Sequence, residues 1–79
     1  MKKYKLVRTL PDWTHKKHFW LFDTARESAD YAGEILFHNA GGSRSDTRRF
    51  SSNLYGIPLG VTLDHSSGYS FRIDAVEER

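Results

Sequence analysis

The sequence predicts an α+β domain in which one helix packs on one face of a four-stranded, mainly antiparallel sheet, in the order ββαββ. Residues 24–40 are the only segment with a clear helical repeat of apolar side chains. The segments before and after this helix alternate apolar and polar residues, as strands do. The chain has 79 residues, which is enough for one core. We therefore expect a single α+β domain spanning residues 1–79.

The predicted helix has a start signal, an apolar stripe and a stop signal. Thr24 and Glu27 form the S/T-x-x-E capping box, which satisfies free amides at a helix start. Gly41 and Gly42 follow the last apolar position, where a left-handed backbone often ends a helix. Small side chains dominate the inner stripe, so the helix can lie close to a sheet. The stripe consists of Ala25, Ala29, Ala32, Leu36 and Ala40.

Two strands are predicted before the helix, and they form a hairpin. Residues 4–10 alternate between the two faces of a sheet and end at Pro11. Residues 18–22 form a dense aromatic run, which predicts a central strand buried on both faces. The connection between them is polar and basic, apart from Trp13.

A long loop and a second hairpin are predicted after the helix. Residues 41–53 are rich in Gly, Ser and Arg and show no clear period, which is typical of a functional or disordered loop. Residues 57–65 and 69–75 alternate with the strand period on either side of a turn. Pro58 lacks an amide hydrogen, so its strand should lie at an edge or start late. We expect the sheet face without the helix to carry Lys5, Val7, Thr62, Arg72 and one side of the aromatic strand.

Composition excludes several classes of site. Cysteine is absent, so disulfides and thiolate metal sites are excluded, and a reducing cytoplasm is expected. No apolar run has the length of a signal peptide or a membrane span, so we expect no membrane partner. The net charge is only +2, but residues 1–20 are basic and residues 21–40 are acidic. Such a chain offers a basic face to nucleic acid or an acidic face to a nucleic-acid-binding protein.

The sequence predicts no catalytic residue, no metal site and no cofactor. Asp64, His65 and Ser66 are the residue types of a catalytic triad, but neighbours in a strand point to opposite faces. His15 and His18 flank two lysines that repel a cation, and no thiolate completes a metal site. A chain this small rarely encloses the cleft that a small-molecule site needs.

Two charged segments are the candidate contact surfaces. Arginine in a polar loop suits bidentate recognition of phosphate or carboxylate, although a solvated connector has the same composition. The first surface consists of Arg44, Arg48 and Arg49, extended by Lys16, Lys17 and Trp13. The second is the acidic helix face with Asp30 and Glu34, which is either a solvated face or a surface offered to a basic groove.

The segment from His18 through Leu36 runs from a strand into a capped helix. In this segment, in its length and in its lack of cysteine, the chain resembles small single-domain proteins of phages and other mobile elements, including anti-CRISPR inhibitors. The resemblance implies a stoichiometric inhibitor, without catalysis, that binds a host nucleoprotein complex and blocks its nucleic-acid or nuclease site.

The leading hypothesis is therefore a non-enzymatic, phage-type binding protein that inhibits a host defence nucleoprotein complex. Its partner would be a host protein or ribonucleoprotein complex, and the protein itself a monomer or weak homo-oligomer. The alternative is a small nucleic-acid-binding protein that uses the basic N-terminal hairpin and the arginine segment. A third hypothesis is an accessory subunit that associates with itself through the uncovered sheet face.

Overall fold

A computed structural model describes residues 3–10 and 17–76, with only the backbone of Lys17. The elements in chain order are β1 Tyr4–Thr9, β2 Lys17–Phe22, α1 Ala25–Asn39, α2 Arg44–Gly56, β3 Thr62–Asp64 and β4 Ser70–Ala75. The four strands form one antiparallel sheet in the order β2-β1-β4-β3. The α+β class and the antiparallel pairing agree with the sequence prediction, but the description with one helix is wrong.

The second helix, α2, occupies the segment that the sequence predicted to be a loop. Ser43 is its N-cap, and the Ser43 Oγ accepts a hydrogen bond of 3.1 Å from the Asp46 amide. Thr47, Phe50 and Leu54 are its buried residues, at helical spacings of three and four. Because the remaining residues are mostly Arg, Ser and Asn, this narrow apolar stripe is difficult to recognise in the sequence. The correct element order is ββααββ.

The first helix, α1, agrees with its prediction almost to the residue. Thr24 is the N-cap, and its Oγ1 accepts from the Glu27 amide at 3.1 Å. At the other end Ala40 is the C-cap, and its amide donates to the Leu36 carbonyl at 3.0 Å. Gly41 follows with a φ of 70°, a backbone conformation in which glycine is favoured.

The aromatic strand β2 is an edge strand, so the prediction of a central strand buried on both faces is wrong. Phe22 and Trp20 point towards the helices and pack against the core. Phe19 and Leu21 lie on the other face, where they are 60% and 44% exposed. A run of aromatic residues therefore does not require two covered faces, since one face can leave its side chains in water.

The C-terminal hairpin is shorter than predicted. Its first strand, β3, has only three residues, begins at Thr62 and lies at the edge of the sheet. This agrees with the expectation that Pro58 delays the strand or places it at an edge. Leu59 and Val61 precede the strand and are exposed, and although the Gly60 amide donates to the Ile73 carbonyl of β4 at 2.8 Å, residues 57–61 form no regular strand.

Both helices lie on the same face of the sheet. The core between them contains Leu6 of β1, Phe71 and Ile73 of β4, and buried residues of both helices. The residues next to Leu6 and Ile73 along their strands point to the opposite face, among them Val7 and Arg72. No helix in the described part of the chain is long and apolar enough to cross a membrane. Two surfaces remain as candidates for function. One is the outer side of the helix pair, and the other is the sheet face away from the helices, which carries Lys5, Phe19 and Arg72 and which we call the open sheet face.

Candidate functional site

The two helices approach each other closely at Gly33. A side-chain carbon at this position would overlap Ser51 Oγ and lie 3.1 Å from the Thr47 carbonyl oxygen. Further along, Glu34 bonds to Arg44, the first residue of α2. These contacts occur in opposite order along the two helices, so α1 and α2 run antiparallel. Their shared outer surface forms a shallow depression, which we call the α1–α2 groove.

The α1–α2 groove has a volume of about 540 Å³ and is lined mainly by charged and hydroxyl side chains. From α1 it takes Arg26, Asp30, Gly33 and Glu34. From α2 it takes Arg44, Thr47, Arg48, Ser51, Ser52 and Tyr55. Such a lining differs from small-molecule sites, which are mostly apolar with few polar groups.

One end of the groove is already neutralised. The Glu34 carboxylate receives Arg44 Nη1 at 3.1 Å and lies 3.2 Å from His38 Nε2. The Arg44 guanidinium also lies 3.9 Å from the centre of the Phe37 ring. All three side chains are about half exposed or more, so these contacts add little stability. They do fix the orientation of Arg44 and reduce its capacity to bind another anion.

The middle and far end of the groove carry charges without such partners. Arg48 and Asp30 are exposed and make no hydrogen bond or ion pair with any residue that the structure describes. Arg26 lies 6.0 Å from the centre of the Tyr55 ring, and that tyrosine is 53% exposed. The groove therefore presents two uncompensated guanidinium groups and one uncompensated carboxylate to a partner.

Four of the residues singled out in the sequence come together here. Arg44 and Arg48 were assigned to one surface and Asp30 and Glu34 to another, and the structure places all four in a single groove. Arg49 is exposed but does not line it. Three further candidates were predicted in the first hairpin. Trp13, Lys16 and the side chain of Lys17 lie outside the described residues.

Arg26 and Tyr55 were not singled out by sequence reasoning. Arg26 precedes Asp30 by four residues, and Tyr55 follows Arg48 by seven, so both spacings put them on the same helix face as a selected residue. The spacing of seven residues puts Tyr55 on the same face as Arg48 only if residues 44–56 form a helix.

A second cluster joins the β3–β4 turn to the start of α2. His65 Nε2 lies 2.9 Å from Asp46 Oδ2, and His65 Nδ1 lies 2.7 Å from Ser67 Oγ. The Ser67 amide also donates to Nδ1 at 3.1 Å, which places the proton of the neutral ring on Nε2. The Phe50 ring packs edge-on against the imidazole.

This Asp–His–Ser cluster contains triad residue types, and its hydrogen bonds join the β3–β4 turn to the first turn of α2. Ser67 belongs to the same turn as His65, and neither residue lines the α1–α2 groove. The sequence neighbours Asp64 and Ser66 take no part in these bonds, although the strand ends at Asp64 and does not include His65 or Ser66. Within the described residues no three His, Asp or Glu side chains are grouped to hold a metal ion.

The open sheet face is the other exposed surface. Phe19 lies under the Lys5 ammonium, 5.6 Å from the ring centre. Arg72 pairs with Asp74 at 2.9 Å on the same face. The Arg72 charge is therefore compensated within the sheet, whereas the Lys5 ammonium contacts an aromatic ring, as Arg26 does in the groove.

No family model, curated protein or solved structure matches this chain. The function therefore has to be inferred from the chemistry of the α1–α2 groove and the open sheet face.

Proposed function

We propose that this protein is a non-enzymatic binding protein that acts by occupying a surface of a partner protein, with the α1–α2 groove as its contact. The observation that carries the proposal is the set of uncompensated charges in the groove. Arg48, Arg26 and Asp30 each lack an ion-pair partner among the described residues, yet they share one depression with Tyr55.

The residue types in the groove support a protein partner. Arginine and tyrosine are enriched at the energetic centres of protein interfaces. Both side chains combine a large flat contact area with hydrogen-bonding groups. Arg48 and Tyr55 can therefore become buried in an interface while their polar atoms form hydrogen bonds with the partner. The presence of Asp30 among the arginines favours a partner surface of mixed charge.

The target class comes from the resemblance to anti-CRISPR inhibitors. We propose a host defence nucleoprotein complex as the partner, inhibited when the protein covers a protein surface or a nucleic-acid-binding surface. Inhibition by occupancy requires one molecule per site and no chemical step, which fits a site without an enclosed cavity.

The test uses a matched pair of charge reversals on α2. Purified CRISPR effector ribonucleoproteins are mixed with the wild-type protein, and cleavage of labelled target DNA is measured against inhibitor concentration. We expect one class of complex to lose activity at a stoichiometric ratio. Arg48→Glu should weaken inhibition at least about tenfold, because it replaces an attraction by a repulsion at the centre of the contact.

Arg49→Glu is the control, because it makes the same charge change outside the groove. Equal effects of both substitutions would mean that only net charge matters, and the groove would then not be the contact. If every purified CRISPR effector complex kept its full cleavage activity, the proposal of such a complex as the target would be refuted.

Direct nucleic-acid binding is the second candidate function. It is favoured by the exposed Phe19 ring beside Lys5, since aromatic side chains flanked by cations stack on unpaired bases. Asp30 and Glu34 oppose a nucleic-acid contact in the groove, because they repel a phosphate backbone. A mobility-shift titration of single-stranded DNA and RNA at low salt tests it. Binding that weakens steeply with salt would support this function, and no shift at low salt would exclude it.

A further inference from the structure

We infer that the segment seated in the α1–α2 groove is an α-helix of the partner with an acidic, a basic and an acidic residue on one face. The inference rests on the proposed function, because it names the chemistry of the partner at the same groove. It follows from the order and the spacing of the uncompensated charges along the helix pair.

Contacts between the helices fix which residues lie side by side. Gly33 lies against Thr47 and Ser51, which puts Arg48 at the level of Gly33. Arg26 lies against Tyr55 at the far end. Read along the groove, the uncompensated charges are therefore positive at Arg48, negative at Asp30 and positive at Arg26. A partner with the complementary order presents negative, positive and negative groups.

The spacing favours a helix over a strand. Helical residues advance about 1.5 Å each, so Arg48 and Asp30 are about 4.5 Å apart along the axis, and Asp30 and Arg26 about 6 Å. Residues of a helix at i, i+3 and i+7 share one face and span about 10.5 Å, which matches the sum of these two steps. In the opposite chain direction the positions are i, i+4 and i+7. Three residues on one face of a strand span about 13 Å, which is longer than the roughly 10.5 Å from Arg48 to Arg26.

The floor of the groove gives a helix room to approach. Ser51 and Ser52 present only hydroxymethyl groups, and Gly33 presents no side chain. A helix that lies between two helices can also bury Tyr55 against its side, as amphipathic helices do in grooves. The groove does not suit a polyanion, because Asp30 and Glu34 face it and Arg44 is already paired with Glu34.

Two synthetic helices test the charge order. Both peptides have about 18 residues, an alanine-rich background and a hydrocarbon cross-link on the opposite face, since short helices are marginal in water. The first carries Glu, Lys, Lys and Glu at i, i+3, i+4 and i+7, which serves both chain directions. The second carries Lys, Glu, Glu and Lys at the same positions. Their net charges are equal, so only the order differs.

Fluorescence anisotropy of the labelled peptides gives the affinities for the full-length protein. We expect the first peptide to bind about tenfold more tightly than the second, the size expected when several exposed charge pairs change from repulsion to attraction. The double variant Arg26→Glu and Arg48→Glu should reverse this preference. Arg49→Glu should leave it unchanged. Circular dichroism confirms that each variant is folded.

The outcomes separate this inference from the proposed function. Equal affinities of the two peptides, or tighter binding of the second peptide, would overturn the helix with alternating charge. If inhibition of the nucleoprotein complex still depended on Arg48 in that case, the groove would remain the contact and only its occupant would change. Inhibition that is insensitive to Arg48→Glu would instead refute the proposed function.

Discussion

The close approach of the two helices at Gly33 predicts an unusual response to alanine. In most helices Gly→Ala stabilises by about 1 kcal/mol, because glycine has the lower helix propensity. Here the new methyl group would overlap Ser51 Oγ and lie 3.1 Å from the Thr47 carbonyl oxygen. Overpacking of this kind costs about 1–3 kcal/mol. We therefore expect Gly33→Ala to lower the free energy of unfolding by up to about 2 kcal/mol, rather than raise it.

The partner variant Ser51→Ala makes the prediction specific. Without Ser51 Oγ, a methyl group at position 33 would have an ordinary 3.5 Å contact to the β-carbon of residue 51 and only the tighter contact to Thr47. Gly33→Ala in the Ser51→Ala background should therefore be close to neutral. The difference between the two backgrounds is a coupling of about 1–2 kcal/mol, within the range measured for residues in contact.

Urea-induced unfolding followed by tryptophan fluorescence measures all four members of this cycle. In a domain of this size, 1 kcal/mol corresponds to a shift of roughly 4–8 °C in the melting temperature, so thermal unfolding provides a second measurement. The reasoning would be refuted if Gly33→Ala stabilised the protein by a similar amount in both backgrounds. The Ser51 hydroxyl would then rotate away from position 33, and the Thr47 carbonyl oxygen would not restrict a methyl group there.

Five further substitutions test three features of the fold by the same unfolding measurement. Ser43→Ala removes the N-cap of α2 and should cost about 1 kcal/mol, whereas Ser45→Ala, inside the helix, should cost little; equal effects would contradict the cap. His65→Ala removes the side-chain hydrogen bonds to Asp46 and Ser67 and should cost about 1–3 kcal/mol. A neutral result would show that these bonds do not hold the β3–β4 turn to α2. Phe19→Thr should change stability by less than about 1 kcal/mol, but Phe71→Ala should cost about 3–5 kcal/mol; a large loss at Phe19 would mean that the open face is covered.

The sequence predicted α1 because its signals are redundant. The capping box at Thr24 and Glu27, the alanine stripe and Gly41 all indicate the same boundaries, so an error in any one of them would not have moved the helix. The pairing of β1 with β2 was predictable for a similar reason, since a short connection favours a hairpin.

Two errors arose where one signal dominated. In α2 the polar composition concealed a stripe of three residues, and the S-x-x-D pattern at Ser43 and Asp46 was the only other sign of a helix. In β2 the density of aromatic residues suggested burial on both faces, but composition does not tell an edge strand from a central one. The position of β2 at the edge depends on the pairing of β1 with β4, which is a contact between residues distant in sequence.

Recognition of α2 also changes the interpretation of the charged residues. In a loop, Arg44 and Arg48 would be a mobile basic surface, separate from the acidic face of α1, and each surface would suit a partner of opposite charge. In a helix antiparallel to α1, the same arginines are held beside Asp30 and Glu34. The net charge of the groove is therefore small even though Arg26, Asp30 and Arg48 are not paired, and long-range attraction to a polyanion is correspondingly weak. What remains is a pattern that a partner satisfies only in one register, and this favours selective recognition of a protein surface over general affinity for nucleic acid.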